Sequence, residues 1–368
     1  GDGAAGDGAP LVVPSLPALA LTSAPAFTAA AASDEHSWPR LFVAQPGLWL
    51  TYRHTQLQPT PRVTVRARAR AAGASSFSAA ETVMPNNGYL SDLIVHAATT
   101  LAVVDTATAT AGMFVRARSA SGSWNEAARF DSVNVSGLCD LLGGVLLPPP
   151  TNTQPLHLLF SHQQHNAIFG CSRRVRYSAA STGTAAGVWS AARDVPGPGP
   201  PLRAFSITGR LLYATSSGLS ISDNGGTSWS TPSESLSDAA SDGSRICFTQ
   251  QALGPGSLWQ VVLSCSDDGA RTITRRVLWR DAAVAVNRRS RVALLGNQIV
   301  VLWGEGQSAW RLSASPDGGA SWTSPATLPA GSGHERDIDL ALEATSRRAV
   351  IAHVGNNTQL SLIQASIP

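Results

Sequence analysis

From Arg40 onward the chain is a succession of short runs in which apolar and polar residues alternate. RVTVRARAR (Arg62 to Arg70) is the plainest case, with GLSI and AWRLSA as others. A period of two is the mark of a half-buried β-strand. Gly, Pro, Ser and Asn clusters separate the runs, as turns between strands require. No stretch of useful length carries a helical period. The runs group into units. RLFVAQ, GLWLTYRH, VTVRARA and SFSAAETV form the first, and RVALLG, QIVVLWG, WRLSAS and SPATLP the sixth. Units start near Arg40, Asp92, Asp140, Arg203, Arg245, Arg291 and Asp337. A spacing of about 40–60 residues is that of four-stranded propeller blades.

The expected fold is therefore all-β: one seven-bladed β-propeller of four-stranded antiparallel blades, a single domain over residues 1–368. The fifth unit, RICFTQQ, LWQVVLS and TITRRVLW, has the least regular strand count. The seventh, DIDLALE, AVIAHVG and QLSLIQASI, has only three strands. The N-terminal segment, residues 1–33, can supply its fourth through LVVPSLPALALT, which closes the ring and removes the open sheet edges. A six-bladed ring is the alternative.

Two turns are nearly identical. SDNGGTSW spans Ser222 to Trp229 and SPDGGASW spans Ser315 to Trp322. Gly225, Gly226, Gly318 and Gly319 can take positive φ there. Asp223 and Asp317 can accept hydrogen bonds from the turn's own N–H groups. Trp229 and Trp322 re-enter the next strand and can staple the turn to the sheet. The pattern S-x-D-x-G-x-x-W resembles the Asp-box, or BNR, repeat of the sialidase superfamily. In that family the box is a structural turn away from the active centre. Units one to three keep faded copies without the aspartate, and unit one also lacks the tryptophan.

Composition narrows the function. Net charge is only +3, every basic residue is arginine, and no dense basic run with interleaved aromatics occurs, which argues against nucleic acid. No apolar run reaches transmembrane length. Pro14, Pro17 and Pro25 interrupt the apolar N-terminal stretch, which reads as a structural segment left after removal of a leader. Cys139, Cys171, Cys247 and Cys265 allow three pairings, and proximity in sequence favours Cys139–Cys171 and Cys247–Cys265. Sequons stand at Asn134 and Asn356. Together these point to a secreted or cell-surface protein. No cofactor fingerprint or C-x-x-C metal motif is present, and nothing indicates an oligomeric state. His162 and His165 in SHQQHN read as a surface hairpin.

Candidate chemistry falls at the starts of the first strands, which in a propeller face the channel mouth. Arg40, Asp92, Asp140, Arg203, Arg245, Arg291 and Asp337 would form a ring there. It could grip a carboxylate or sulfate, or its members could pair with one another. The sialidase resemblance implies an arginine triad, a tyrosine nucleophile paired with a glutamate, and an aspartate acid/base. Arg40 in SWPRLFV lies near the family's first arginine, and Arg245 and Arg291 could complete the triad. Tyrosines occur only at Tyr52, Tyr89, Tyr177 and Tyr213, none in the later blades where the family places its nucleophile. Asp92, Asp140, Glu335 and Asp337 are the carboxylates open to a different glycosidase mechanism. Trp259, Trp279, Trp303 and Trp310 could stack on sugars or fill the space between blades. The expected function is a non-catalytic propeller binding a glycan or protein partner at the mouth. A sialidase-like hydrolase, degenerate or active, and a structural assembly module are the alternatives.

Overall fold

The computed structural model describes residues 11–25, 35–44, 47–57, 62–85, 88–96, 99–106, 112–130, 133–134, 143–147, 155–166, 170–181, 187–197, 201–231, 234–281, 290–305, 309–329, 337–343, 346–355 and 359–368. The fold is all-β, with seven antiparallel blades of the β-propeller class, numbered here in chain order. A 3-10 turn spans Pro255–Ser257. No helix among the described residues is long and apolar enough to cross a membrane. Chain contacts group the blades into two compact units.

The larger unit, residues 27–234, holds blades one to four. Blade one runs Glu35–Ala44, Gly47–Gln56, Arg62–Ala71 and Glu81–Met84, each strand antiparallel to the one before. Blade two begins with Tyr89–His96, blade three with Gly144–Leu147 and blade four with Pro201–Ile207. First strands of successive blades lie side by side. Their alternating residues interlock between sheets: Phe42, Trp49 and Val65 of blade one pack with Leu93, Val104 and Phe114 of blade two. Blade four has three assigned strands, and Ser230 N–H donates to Ile221 O at 2.8 Å on its outer side.

The smaller unit, residues 1–26 and 235–368, holds blades five to seven. Blade six follows the expected parse, beginning at Arg291–Leu295. Blade five does not. Its first strand is Asp238–Ser241, and the run expected to open it, Ile246–Leu253, is the second strand. The short sequence DAAS alternates too little to stand out, so the repeat appeared to start one strand late. In blade seven, Leu21–Pro25 pairs antiparallel with Leu360–Ser366 and supplies the fourth strand. The N-terminus thus completes the last blade, but only Leu21 and Thr22 of the expected run do so. The residues before them are interrupted by prolines that remove ladder donors. They make single bridges instead, Leu11 to Val277 of blade five and Leu16 to Thr323 of blade six.

Trp303 and Trp310 are buried in the layers between blades, Trp303 with Val261 and Leu263 of blade five and Trp310 with Leu340 and Ile351 of blade seven. Trp279 packs partly buried against the first of these layers. Space-filling is thus the role of Trp303 and Trp310. Cys247 and Cys265 face each other across the second and third strands of blade five and form a disulfide. Cys139 and the Cys171 side chain lie outside the described residues, as does the pairing expected of them.

Candidate ligand-binding site

The Asp-box turns fold as small hydrogen-bonded cages. In the blade-six box, Ser315 Oγ donates to Asp317 Oδ1 at 2.9 Å, Gly319 N–H donates to Ser315 Oγ at 2.7 Å, and Ser321 N–H donates to Asp317 Oδ1 at 2.8 Å. Burial pushes the Asp317 carboxyl up, but the bonds from Ser321 and Ser315 outweigh it and hold the group low. In the blade-four box the same bonds run through Ser222, Gly226 and Ser228, and the acceptor is Asn224, at 2.8–3.0 Å. The assignment of Asp223 as the box acid is therefore corrected. Asp223 lies one residue early, is exposed, and accepts from Arg210 Nη2 at 3.1 Å. An amide oxygen accepts from N–H as a carboxylate does, so Asn224 closes the cage as Asp317 does. Blade five holds a third box, with Ala270 N–H donating to Ser266 Oγ at 2.8 Å and Thr272 N–H to Asp268 Oδ1 at 2.9 Å. Bonds from Thr272 and Ser266 hold the Asp268 carboxyl well below the usual range. The strands around this turn were visible in the sequence, but without the second glycine and the tryptophan its box was not.

The strand-start residues do not all lie where the sequence placed them. Arg245 is at the far end of blade five's first strand, in the turn leading to the second. There it pairs with Asp267 of its own blade's box. The residue that opens blade five is Asp238, which is buried and whose Oδ2 accepts Val292 N–H of blade six at 3.2 Å. Arg291 does open its strand, but its guanidinium is buried 3.6 Å from the fully buried Asp339 of blade seven. That acid stands two residues after Asp337, which is half-buried just before the strand. Arg245 and Arg291 therefore mark opposite ends of adjacent first strands and share no site. Asp140, Glu335, Asn356 and the side chains of Asn134 and His165 lie outside the described residues.

In the larger unit three expected residues stand behind register shifts. The first strands of blades one, two and four each slip immediately before Arg40, Asp92 and Arg203. A bulge of this kind re-aims the side chains beside it. Asp92 turns inward: Oδ2 accepts Leu146 N–H of blade three at 2.8 Å and Oδ1 accepts Leu93 N–H at 2.9 Å. Loss of water raises its carboxyl to about 6 despite these bonds and the Arg203 charge. Arg40 lies mid-strand, five residues after Glu35, and is half-buried.

The bulge in blade one builds a feature that the sequence reading missed. Trp38 and Pro39 together oppose Tyr52, and Trp38 takes φ 54°, a conformation costing about 1–3 kcal/mol for a side chain of this size. Its indole meets the Tyr89 ring of blade two with centroids 4.0 Å apart. The Arg53 guanidinium lies 4.8 Å from the Tyr89 ring centre, and its Nη1 donates to Tyr89 Oη at 2.8 Å. All three side chains are half-buried, so a strained indole, a phenol and a fork of N–H donors share one accessible patch where blades one and two start. His36 and His54 are buried, with the His36 ring 5.3 Å from that of Tyr52 and 5.6 Å from that of His54. The signal was SWPRLFV itself: a proline inside a strand run has no ladder donor and is confined to an edge or a bulge.

The other tyrosines are enclosed. Tyr52, Tyr177 and Tyr213 are buried, and burial pushes the Tyr213 phenol up to about 12. No group of three metal-ligating side chains occurs among the described residues.

No family model matches the sequence, and no curated protein matches it. Solved structures do match in fold. The AfRom2 CNH domain is 7% identical, with 94% of this chain and 99% of that chain covered and a TM-score of 0.50. The Hadza microbial sialidase Hz136 is 13% identical over 87% of this chain and 76% of its own, with a TM-score of 0.42. The fungal Aleuria aurantia lectin, a six-bladed propeller with fucose recognition, is 14% identical over 90% and 91%, with a TM-score of 0.46. At these identities the likeness is one of propeller fold.

Proposed function

We propose that this chain is a non-catalytic, secreted or cell-surface propeller that binds a glycan where the first strands of blades one and two begin. The observation that carries this reading is the Trp38–Arg53–Tyr89 patch. A sugar ring offers C–H faces to an aromatic surface and hydroxyls to a guanidinium fork, and the patch presents both. The strain at Trp38 is kept in a segment that could relax by losing the bulge, which fits a side chain held out for contact. The disulfide in blade five suits an oxidising compartment. A hydrolase of sialidase type is disfavoured because a tyrosine nucleophile needs an activating base at an open site. Tyr52, Tyr177 and Tyr213 are buried, and Tyr89 is held by Arg53.

A glycan array probed with the chain and with Trp38→Ala, run beside a fluorogenic sialoside assay, tests the reading. Binding to a defined set of glycans without turnover is expected, weakened about tenfold or more in the variant. Turnover abolished by Arg40→Ala would replace the proposal with the hydrolase. An array silent for the wild-type chain would leave the protein-partner or scaffold role.

A further inference from the structure

The smaller unit contains a second polar site, on the face that carries the box turns. Between blades five and six lies a cleft of about 220 Å³ lined by Arg245, Leu263, Arg276 and the box glycines Gly318 and Gly319. Arg245 is held by its own blade. Its Nε and Nη2 both bond the carboxylate of Asp267. That fork fixes the guanidinium plane and leaves Nη1, which is buried, without a hydrogen-bond partner. Nη1 lies over Gly318, where an added Cβ would come within 2.9 Å of it. Arg276 lies over Gly319, with Nε 3.6 Å from the equivalent Cβ position. Beyond the strand pairing of its backbone, the Arg276 side chain makes no hydrogen bond or ion pair among the described residues. The one box carbonyl beside it, Gly319 O, is taken by Trp322 Nε1 at 3.1 Å.

Two guanidiniums thus converge on one small cleft with donors to spare. Asp267 pairs with one of them and is largely exposed at the rim, Asp242 adds its charge to the same guanidinium, and Arg276 is the cation of the cleft that neither acid bonds. A buried N–H without a partner costs free energy that an incoming acceptor recovers. We propose that this cleft binds a small oxyanion, a sulfate or phosphate group, between Arg245 Nη1 and Arg276. Charge-assisted bonds to both guanidiniums would hold it, and Leu263 makes the room. Leu263 is paired with Arg276 across the third and fourth strands of blade five. In blade three the corresponding pair is Tyr177 and Arg193, and the tyrosine fills the space over the next box.

The test is a titration with sodium sulfate, balanced with chloride at constant ionic strength, read by NMR from the guanidinium N–H signals of the full chain. Saturable binding is expected with Kd on the order of 1 mM. Arg276→Gln weakens it about tenfold. Leu263→Tyr, which refills the cleft without removing a charge, abolishes it. Absence of saturation in the wild-type chain, or binding unchanged in Arg276→Gln, overturns the proposal. Should Leu263→Tyr fail to fold, the half-buried Arg276→Gln variant decides alone. A monosaccharide sulfate titrated alongside separates the sources. Tighter binding than inorganic sulfate assigns the anion to a glycan, and equal binding assigns it to the free ion.

Discussion

SDNGGTSW and SPDGGASW fold into the same cage yet support different surroundings. In blade four, Arg193 donates to Gly226 O and Tyr177 Oη donates to Gly225 O at 3.3 Å, so side chains of blade three take the turn's carbonyls. Trp229 is left half-buried, edge-on to Tyr213 and Tyr177, and its Nε1 has no hydrogen-bond partner among the described residues. In blade six the tryptophan takes the carbonyl itself, Trp322 is buried, and the arginine of the preceding blade is released. The turn's sequence sets its internal bonds. The third strand of the blade before it decides whether the space alongside is filled by a phenol or left as a cleft.

The sharpest way to break this comparison is to add one methyl group to each box. Gly226 has φ 85°, and an added Cβ would lie 2.5 Å from Tyr177 Oη, which is anchored 2.7 Å from His157 Nδ1. Gly226→Ala should lose about 3 kcal/mol or more in a urea unfolding series. Gly319→Ala, at φ 96° with its nearest neighbour the Arg276 side chain at 3.6 Å, should lose only about 1 kcal/mol. Equal losses would mean that the two joints are equally packed.

The disulfide joins strands whose cysteines are 18 residues apart in sequence and forms part of the open joint's wall through Cys265. Replacing both cysteines by alanine should cost about 3 kcal/mol in the same measurement. A cost near zero would show that the blade-five sheet sets the cleft geometry unaided.

The filled joint should also respond to pH. Burial lowers His157 to about 4 beneath Tyr177, whereas the unfolded chain takes up that proton near 6.5. Protons therefore favour the unfolded state, and this contribution is whole above pH 6.5 and lost as pH falls toward 4. A loss on the order of 2 kcal/mol over that window is expected, flattened in His157→Gln. Asp92 gives the opposite slope, since its raised carboxyl makes folding less favourable as pH climbs from about 4 to 6. The Asp92→Asn background removes that slope, and the difference between it and Asp92→Asn/His157→Gln isolates His157 from His353, which burial also lowers.

The smallest effect separates the amide Asn224 from the acid Asp223 in the blade-four box. Asn224→Ala should cost about 1–2 kcal/mol through the lost cage bonds. Asp223→Ala, which breaks a pair with Arg210 at an exposed carboxylate, should cost below about 1 kcal/mol. The reverse order would return Asp223 to the box.

The sequence by itself determined the blade repeat, most of the strands and two of the three described box turns. Each is a local property: alternation lasts five to ten residues, and a box closes its bonds within eight. It also pointed to the Cys247–Cys265 pair, which sits on adjacent strands. Only the tertiary structure decided what depends on register and on neighbouring blades. A short first strand in blade five moved Arg245 from one end of the sheet to the other. A bulge at Trp38 and Pro39 brought an indole onto Tyr89, more than forty residues away in sequence. Arg291 was readable as a strand start, but not as the partner of Asp339, because that pairing crosses from one blade to the next. A pattern with period two tells which face a side chain takes. It does not tell which side chain of another sheet will meet it there.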